Sequence, residues 1–214
     1  FSFFDQKSWV SKINRLAAHS PLRVPPDVFE LLQICQSVHR DTHGAFDPCV
    51  ATPTSCPDRT SATFDKVQLH SPSRTVHFHH PELELDLGGI AKGWAIDQAV
   101  AVLLEAGVTS ALVHGGTSSV RSIGVPENEC GWKIAIGEFA STWLASQALS
   151  VSHTFSDSEA QSNQSCHIIH PRSGHPISLQ RQSAVLASSA TLADAWSTAL
   201  LVDASEPFTW KQIS

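Results

Sequence analysis

Apolar positions along this chain switch between two spacings, and the switch marks where helices and strands fall. Across residues 27–39, Val28, Leu31, Leu32, Cys35 and Val38 recur every three or four residues, just after Pro25-Pro26. That spacing gathers them on one face and predicts a helix, with Gly44 as its stop. A second helix is expected after Gly88-Gly89, running to about Ala106 before Gly107, and a third over residues 189–201. Shorter apolar runs predict strands at 75–79, 83–87, 110–114, 120–123, 132–136 and 142–151. Residues 51–63, rich in Pro, Ser and Thr, read as a surface loop, 115–119 as a turn, and 156–165 as a polar, flexible loop. No internal repeat is visible. Strands and helices alternate irregularly, which points to an α+β fold: mixed or antiparallel sheets with packed helices, not a regular doubly wound sheet.

Length and charge narrow the classes. At 214 residues the chain can bury a substantial core as one domain, expected over residues 1–214. Its net charge is −6, and no basic stripe is interleaved with aromatics, which argues against a nucleic-acid partner. The longest apolar runs are too short to span a bilayer, so no transmembrane segment is expected. The chain opens Phe-Ser-Phe-Phe and contains no Met, so it reads as a fragment or processed product with an N-terminal segment missing. Five cysteines with no Cys-x-x-Cys do not describe a disulfide scaffold.

Candidate chemistry concentrates at a few places. In residues 84–97 a short apolar run ends in Asp86, Gly88 and Gly89 allow a sharp turn, and Lys92 follows at a helix start. Glycines admit close backbone approach, helix N–H groups face an anion and the lysine adds charge, so the layout suits a phosphate; a plain strand–turn–helix corner has the same pattern. It is neither the Walker nor the Rossmann spacing. Asp194 and Thr198 lie four apart on one helix face and could hold a hard cation such as Mg2+. Alternatively, Asp194 caps the helix or forms a salt bridge, and Thr198 bonds back to a helix carbonyl. Gly115-Gly116-Thr117 offers backbone N–H groups and a hydroxyl that could cradle a phosphate or sugar. Twelve histidines raise the question of zinc, but their spacings match no strong zinc signature.

Taken in order, these segments resemble the ApbE family, the FAD:protein FMN transferases. The similarity begins at Ser11-Lys-Ile-Asn-Arg15 and passes through Thr42-His-Gly-Ala-Phe-Asp-Pro48. It is fullest at Asp86-Leu-Gly-Gly-Ile-Ala-Lys-Gly93, the family's most recognisable motif. It continues through Gly115-Gly116, His167-Ile-Ile-His-Pro-Arg-Ser-Gly174 and Ala193-Asp-Ala-Trp-Ser-Thr198. Four departures stand out. His43 and His170 occupy positions where the family has Asp, His153-Thr154-Phe155 replaces Thr-Ser-Gly, and Gly115-Gly116 is followed by Thr-Ser-Ser in place of Asp.

The resemblance implies an ApbE-like, T-fold-like architecture and a reaction. A threonine or serine hydroxyl of a target protein takes FMN from FAD in the presence of Mg2+, and AMP leaves. By resemblance, Asp194 and Thr198 are side-chain metal ligands and the Ala91 carbonyl completes the protein part. His167 and Asp194 are the catalytic candidates. Asp86, Gly88, Gly89, Lys92, Gly115, Gly116, Thr117, His167 and Ile169 are expected to line the FAD site. The alternative is a divergent relative that binds FAD or another nucleotide without catalysis. The implied partner is an acceptor protein bearing a Thr or Ser flavinylation site. The implied setting is the bacterial periplasm or the outer face of the cytoplasmic membrane.

Overall fold

A computed structural model of the chain describes residues 2–56, 58–137, 140–154, 168–177, 180–204 and 206–213. The loop expected at 156–165 lies outside them, as do Phe155 and His167. The chain packs as two compact units, one of residues 1–89 with 161–178 and one of 90–160 with 179–214.

The first unit opens with helix α1, Trp9–Leu16, whose N-terminus is capped by the Ser8 hydroxyl accepting from the Ser11 N–H. Strand β1 (Leu22–Arg23) precedes helix α2 (Pro26–Asp41), which starts on a proline and buries Val28, Leu31, Leu32, Cys35 and Val38 along the expected face. A 3-10 turn at Phe64–Lys66 leads into β2 (Val67–His70) and β3 (Thr75–Phe78). The three strands form an antiparallel sheet in the order β1-β3-β2.

Residues 83–87 are not the strand that their pattern predicts. Leu83, Leu85 and Leu87 are buried in alternation, as a strand would bury them. Their backbone, however, is satisfied without a neighbouring strand. The Leu85 N–H donates to Asn14 Oδ1 (2.8 Å), its carbonyl accepts from Asn14 Nδ2 (3.0 Å), and the Asp86 N–H donates to the Pro48 carbonyl (2.7 Å). One side-chain amide does the work of a ladder partner. Among the described residues of the expected surface loop at 51–63, Thr52, Cys56, Arg59 and Ala62 are buried, so this irregular segment is partly core.

The second unit opens with helix α3 (Ala91–Glu105), followed by β4 (Ala111–Gly115), β5 (Ser119–Ile123), β6 (Trp132–Ile136), β7 (Ala140–Leu144), β8 (Ala148–His153), β9 (Gln182–Ala187), helix α4 (Ala190–Asp203) and β10 (Phe208–Gln212). Five strands form one sheet in the order β10-β9-β8-β5-β4, antiparallel except for the β9–β10 pair. Side-chain alternation divides its core in two. Ile123, Ala148, Val185 and Ala187 pack with Ile96 and Val100 of α3 and Ala190 and Ala193 of α4. Val120, Leu149, Ala184 and Leu186 pack with Ile136 and Leu144 of the β6–β7 hairpin. The strand expected at 142–151 is therefore two strands. The break falls at Ser146, whose φ of 54° takes the chain out of extended geometry.

Candidate functional site

Helices α3 and α4 meet at contact distance because Gly93 has no side chain. A Cβ at that position would lie 2.1 Å from the Ala190 carbonyl oxygen and 2.8 Å from the Thr191 Cα. The close approach brings the start of α3 to Asp194, which is only 1% exposed. Burying a carboxylate is costly unless it is paired and hydrogen-bonded. Asp194 is both. Its Oδ2 accepts from the Gly93 N–H (3.0 Å), and Lys92 Nζ stands 3.2 Å from Oδ1 and 3.5 Å from Oδ2.

Two buried hydroxyls complete this surround. Ser119 Oγ and Ser150 Oγ lie 3.4 and 3.3 Å from Asp194 Oδ1 and 3.0 Å from each other. Ser197 Oγ donates to the Asp194 carbonyl at 2.9 Å. Neither Ser150 nor Ser197 was a sequence candidate. The alternation Ser150-Val-Ser152 within an apolar strand was the signal available, since hydroxyls on a buried strand face require partners.

The expected ligands Asp194 and Thr198 share a helix face, and Ala91 opens α3. Both modest alternatives for the side chains are realised: Asp194 pairs with Lys92, and Thr198 Oγ1 donates to the Asp194 carbonyl at 3.1 Å. Among the described residues, no group of three or more His, Cys, Asp or Glu is placed to hold a metal ion. In the β4–β5 turn, Gly116 has φ of +72° with open space where a Cβ would stand, while Gly115 lies against Ile96. Gly116 and Thr117 are both exposed.

The remaining candidates belong to the first unit. Asp86 Oδ1 accepts from the Gly88 N–H (2.8 Å), a local turn that Gly88-Gly89 continues. Ile169 bridges to Pro176, and the His170 N–H donates to the His175 carbonyl (2.9 Å), closing residues 168–177 into a tight loop. The same unit carries a cleft of about 490 Å³ whose lining includes His39, His43, Asp47, Asp65 and Arg172. At its floor Asp47 accepts from the Cys49 and Phe64 N–H groups. Burial raises the Asp47 carboxyl above its ordinary value, with His39 and those two N–H groups pulling the other way. Burial likewise raises the Cys35 and Cys49 thiols.

The architecture is of the ApbE type. It matches the crystal structure of the ApbE protein from Thermotoga maritima with a TM-score of 0.81 and 27% identity, over 96% of this chain and 74% of that one. The sequence agrees: the ApbE family profile matches residues 1–209, and the chain belongs to the ApbE family. It is 29% identical to an FAD:protein FMN transferase of Rhodobacter capsulatus, over 93% of this chain and 42% of the relative. To one of Klebsiella pneumoniae it is 27% identical, over 91% of this chain and 68% of the relative. The chain thus spans less than half of the first relative's length and about two thirds of the second's.

Proposed function

We propose that this chain transfers the FMN part of FAD to a threonine or serine hydroxyl of a target protein. The hydroxyl oxygen forms a bond to the FMN phosphorus, the bond from that phosphorus to the bridging oxygen breaks, and AMP leaves. The observation that carries the reading is the buried Asp194 carboxylate, held against the Lys92 ammonium where the family's most recognisable motif enters a helix.

The oxygen donors around Asp194 fit a hard cation. A carboxylate and the Thr198 hydroxyl project from one helix face, and a hydroxyl that donates its proton to a carbonyl can still ligate through its oxygen. The Ala91 carbonyl is the third proposed ligand. Bound there, Mg2+ would offset the negative charge that develops on the phosphoryl oxygens. The Lys92 side chain is 47% exposed, so its ammonium has room to leave Asp194 and meet a substrate phosphate. Ser119 and Ser150 hold the carboxylate in place, and Gly115, Gly116 and Thr117 offer an exposed turn to the flavin dinucleotide.

Roles in the rest of the proposed FAD site rest on family membership. Asp86, Gly88, Gly89 and Ile169 are proposed to line it. His167, outside the described residues, is proposed to take the acceptor hydroxyl proton. The setting proposed is the bacterial periplasm or the outer face of the cytoplasmic membrane; the relatives above are bacterial proteins, and no helix among the described residues is long and apolar enough to cross a membrane. The test is AMP release from FAD with Mg2+ and an acceptor domain. Release that is lost in Asp194→Ala supports the reading. Equal release by Asp194→Ala, or tight FAD binding with no release across several acceptors, overturns it in favour of a different site or a non-catalytic binder.

A further inference from the structure

Asp97 lies one helical turn beyond Gly93 on the same face of α3 and makes a set of contacts with the first turn of α4. Its Oδ1 accepts from the Ala190 N–H (2.9 Å) and from Arg121 Nη1 (2.5 Å). Its Oδ2 accepts from the Thr191 N–H (2.9 Å) and the Thr191 hydroxyl (2.5 Å). The next two N–H groups of α4 are satisfied by Ser189, Leu192 through the side chain and Ala193 through the carbonyl. The Ala193 bond is the first intrahelical one of α4, so the N–H groups of Ala190, Thr191 and Leu192, which have no intrahelical acceptor, are all satisfied, the first two by a residue of another helix.

That distinction matters for Asp194, which begins one turn further along α4. Among the described residues, the backbone donor to its carboxylate is the N–H of Gly93, four residues before Asp97. Two links between α3 and α4 thus run side by side: Asp97 to residues 190 and 191, and Gly93 to residue 194. With no Cβ at Gly93 to act as a spacer, the two helices approach closely enough there for these hydrogen bonds to tie one to the other, beside the packing of Ile96 and Val100 on Ala190 and Ala193. Arg121 ties the same carboxylate to β5, two residues from Ser119, which faces Asp194. Asp97 is 12% and Arg121 23% exposed, so the pair is shielded from screening by solvent.

We propose that Asp97 is the positioning residue that sets the Asp194 carboxylate for cation and FAD binding, acting through the first turn of α4 without touching either ligand. This rests on the function proposed above. Asp97→Asn keeps the shape of the side chain but turns an N–H2 toward one of two backbone donors; Asp97→Ala removes both acceptors. Residues that orient a metal ligand from outside its coordination sphere typically change metal affinity by about 10- to 100-fold. The expected result is a loss of that order in Asp97→Asn and a larger one in Asp97→Ala.

The measurement is Mn2+ binding by electron paramagnetic resonance, with FAD present, on wild-type protein, Asp194→Ala, Asp97→Asn and Asp97→Ala, each checked by circular dichroism to be folded. Thr191→Val, which deletes one hydroxyl donor at nearly constant volume, replaces the Asp97 variants if they do not fold and is expected to weaken Mn2+ binding by a smaller factor. Weak binding in Asp194→Ala with graded weakening in the Asp97 variants, or in Thr191→Val, supports the proposal. A lowered melting temperature with Mn2+ affinity unchanged would make Asp97 structural only and overturn it, leaving the proposed function standing. Mn2+ affinity of Asp194→Ala equal to that of wild type would overturn the proposed function and this inference together.

Discussion

Gly93 faces backbone on its crowded side, so neither helix can turn a side chain out of the way. Gly93→Ala is expected to destabilise the fold by about 3 kcal/mol, read as a lower urea midpoint at unchanged slope. The motif containing Gly93 was legible as residues, but its reason was not. The close approach expected from sequence concerned Gly88 and Gly89 and a phosphate, with no role for Gly93; the structure shows Gly93 in close approach to α4. Asp194 and Lys92 were both candidates, yet their pairing joins residues 102 apart and no spacing rule could have supplied it. His43 adopts φ of 51°, a left-handed conformation that Asn, Asp and His tolerate better than most residues, which explains how it can stand at a position where the resemblance expects Asp.

Asp47 gives a pH prediction at the same scale. Its carboxyl holds a proton more tightly folded than unfolded, because burial disfavours the charge. The folded state therefore binds more protons between the unfolded value of 3.8 and the raised folded value, and stability falls as pH rises through that window. Urea unfolding of wild type and Asp47→Asn from pH 4 upward is expected to show wild type losing stability relative to the variant as pH increases. A difference that grows in the wild type's favour would contradict the assignment.

At the scale of elements, the helices were the most readable, because α2 and the α3 and α4 segments carry long apolar patterns with stop or cap residues at their ends. The strands were less so, and each miss has a cause. Residues 83–87 alternate as a strand does but receive their hydrogen bonds from Asn14, 71 residues away. Strand β9 is buried at nearly every position and half of it is Ala and Ser, so it shows no alternation and only Val185 is a strong β former. The break at Ser146 carries no Gly or Pro to announce it. Asn14 yields the prediction for this scale. Asn14→Ala leaves the N–H and the carbonyl of fully buried Leu85 without their partner, and is expected to cost about 2–4 kcal/mol in equilibrium unfolding. Its presence in one of the segments that resemble the family then reflects fold before chemistry.

Across the whole molecule, the order of motifs carried more than any single one, and it led to the ApbE family, to which the chain belongs. The α+β architecture was legible at the same level. In the second unit two helices and a strand pair bring Lys92, Asp194, Ser119 and Ser150 together, and the central claim proposed is that this arrangement serves transfer of a flavin nucleotide to protein. AMP release alone also accompanies hydrolysis of FAD, so the product on the acceptor is the more direct observation. The measurement is the intact mass of a threonine-bearing acceptor domain after incubation with this protein, FAD and Mg2+. The expected result is one covalent FMN per acceptor, formed in step with AMP and absent with Asp194→Ala. AMP and free FMN accumulating beside an unmodified acceptor, or the same adduct formed by Asp194→Ala, would contradict the account.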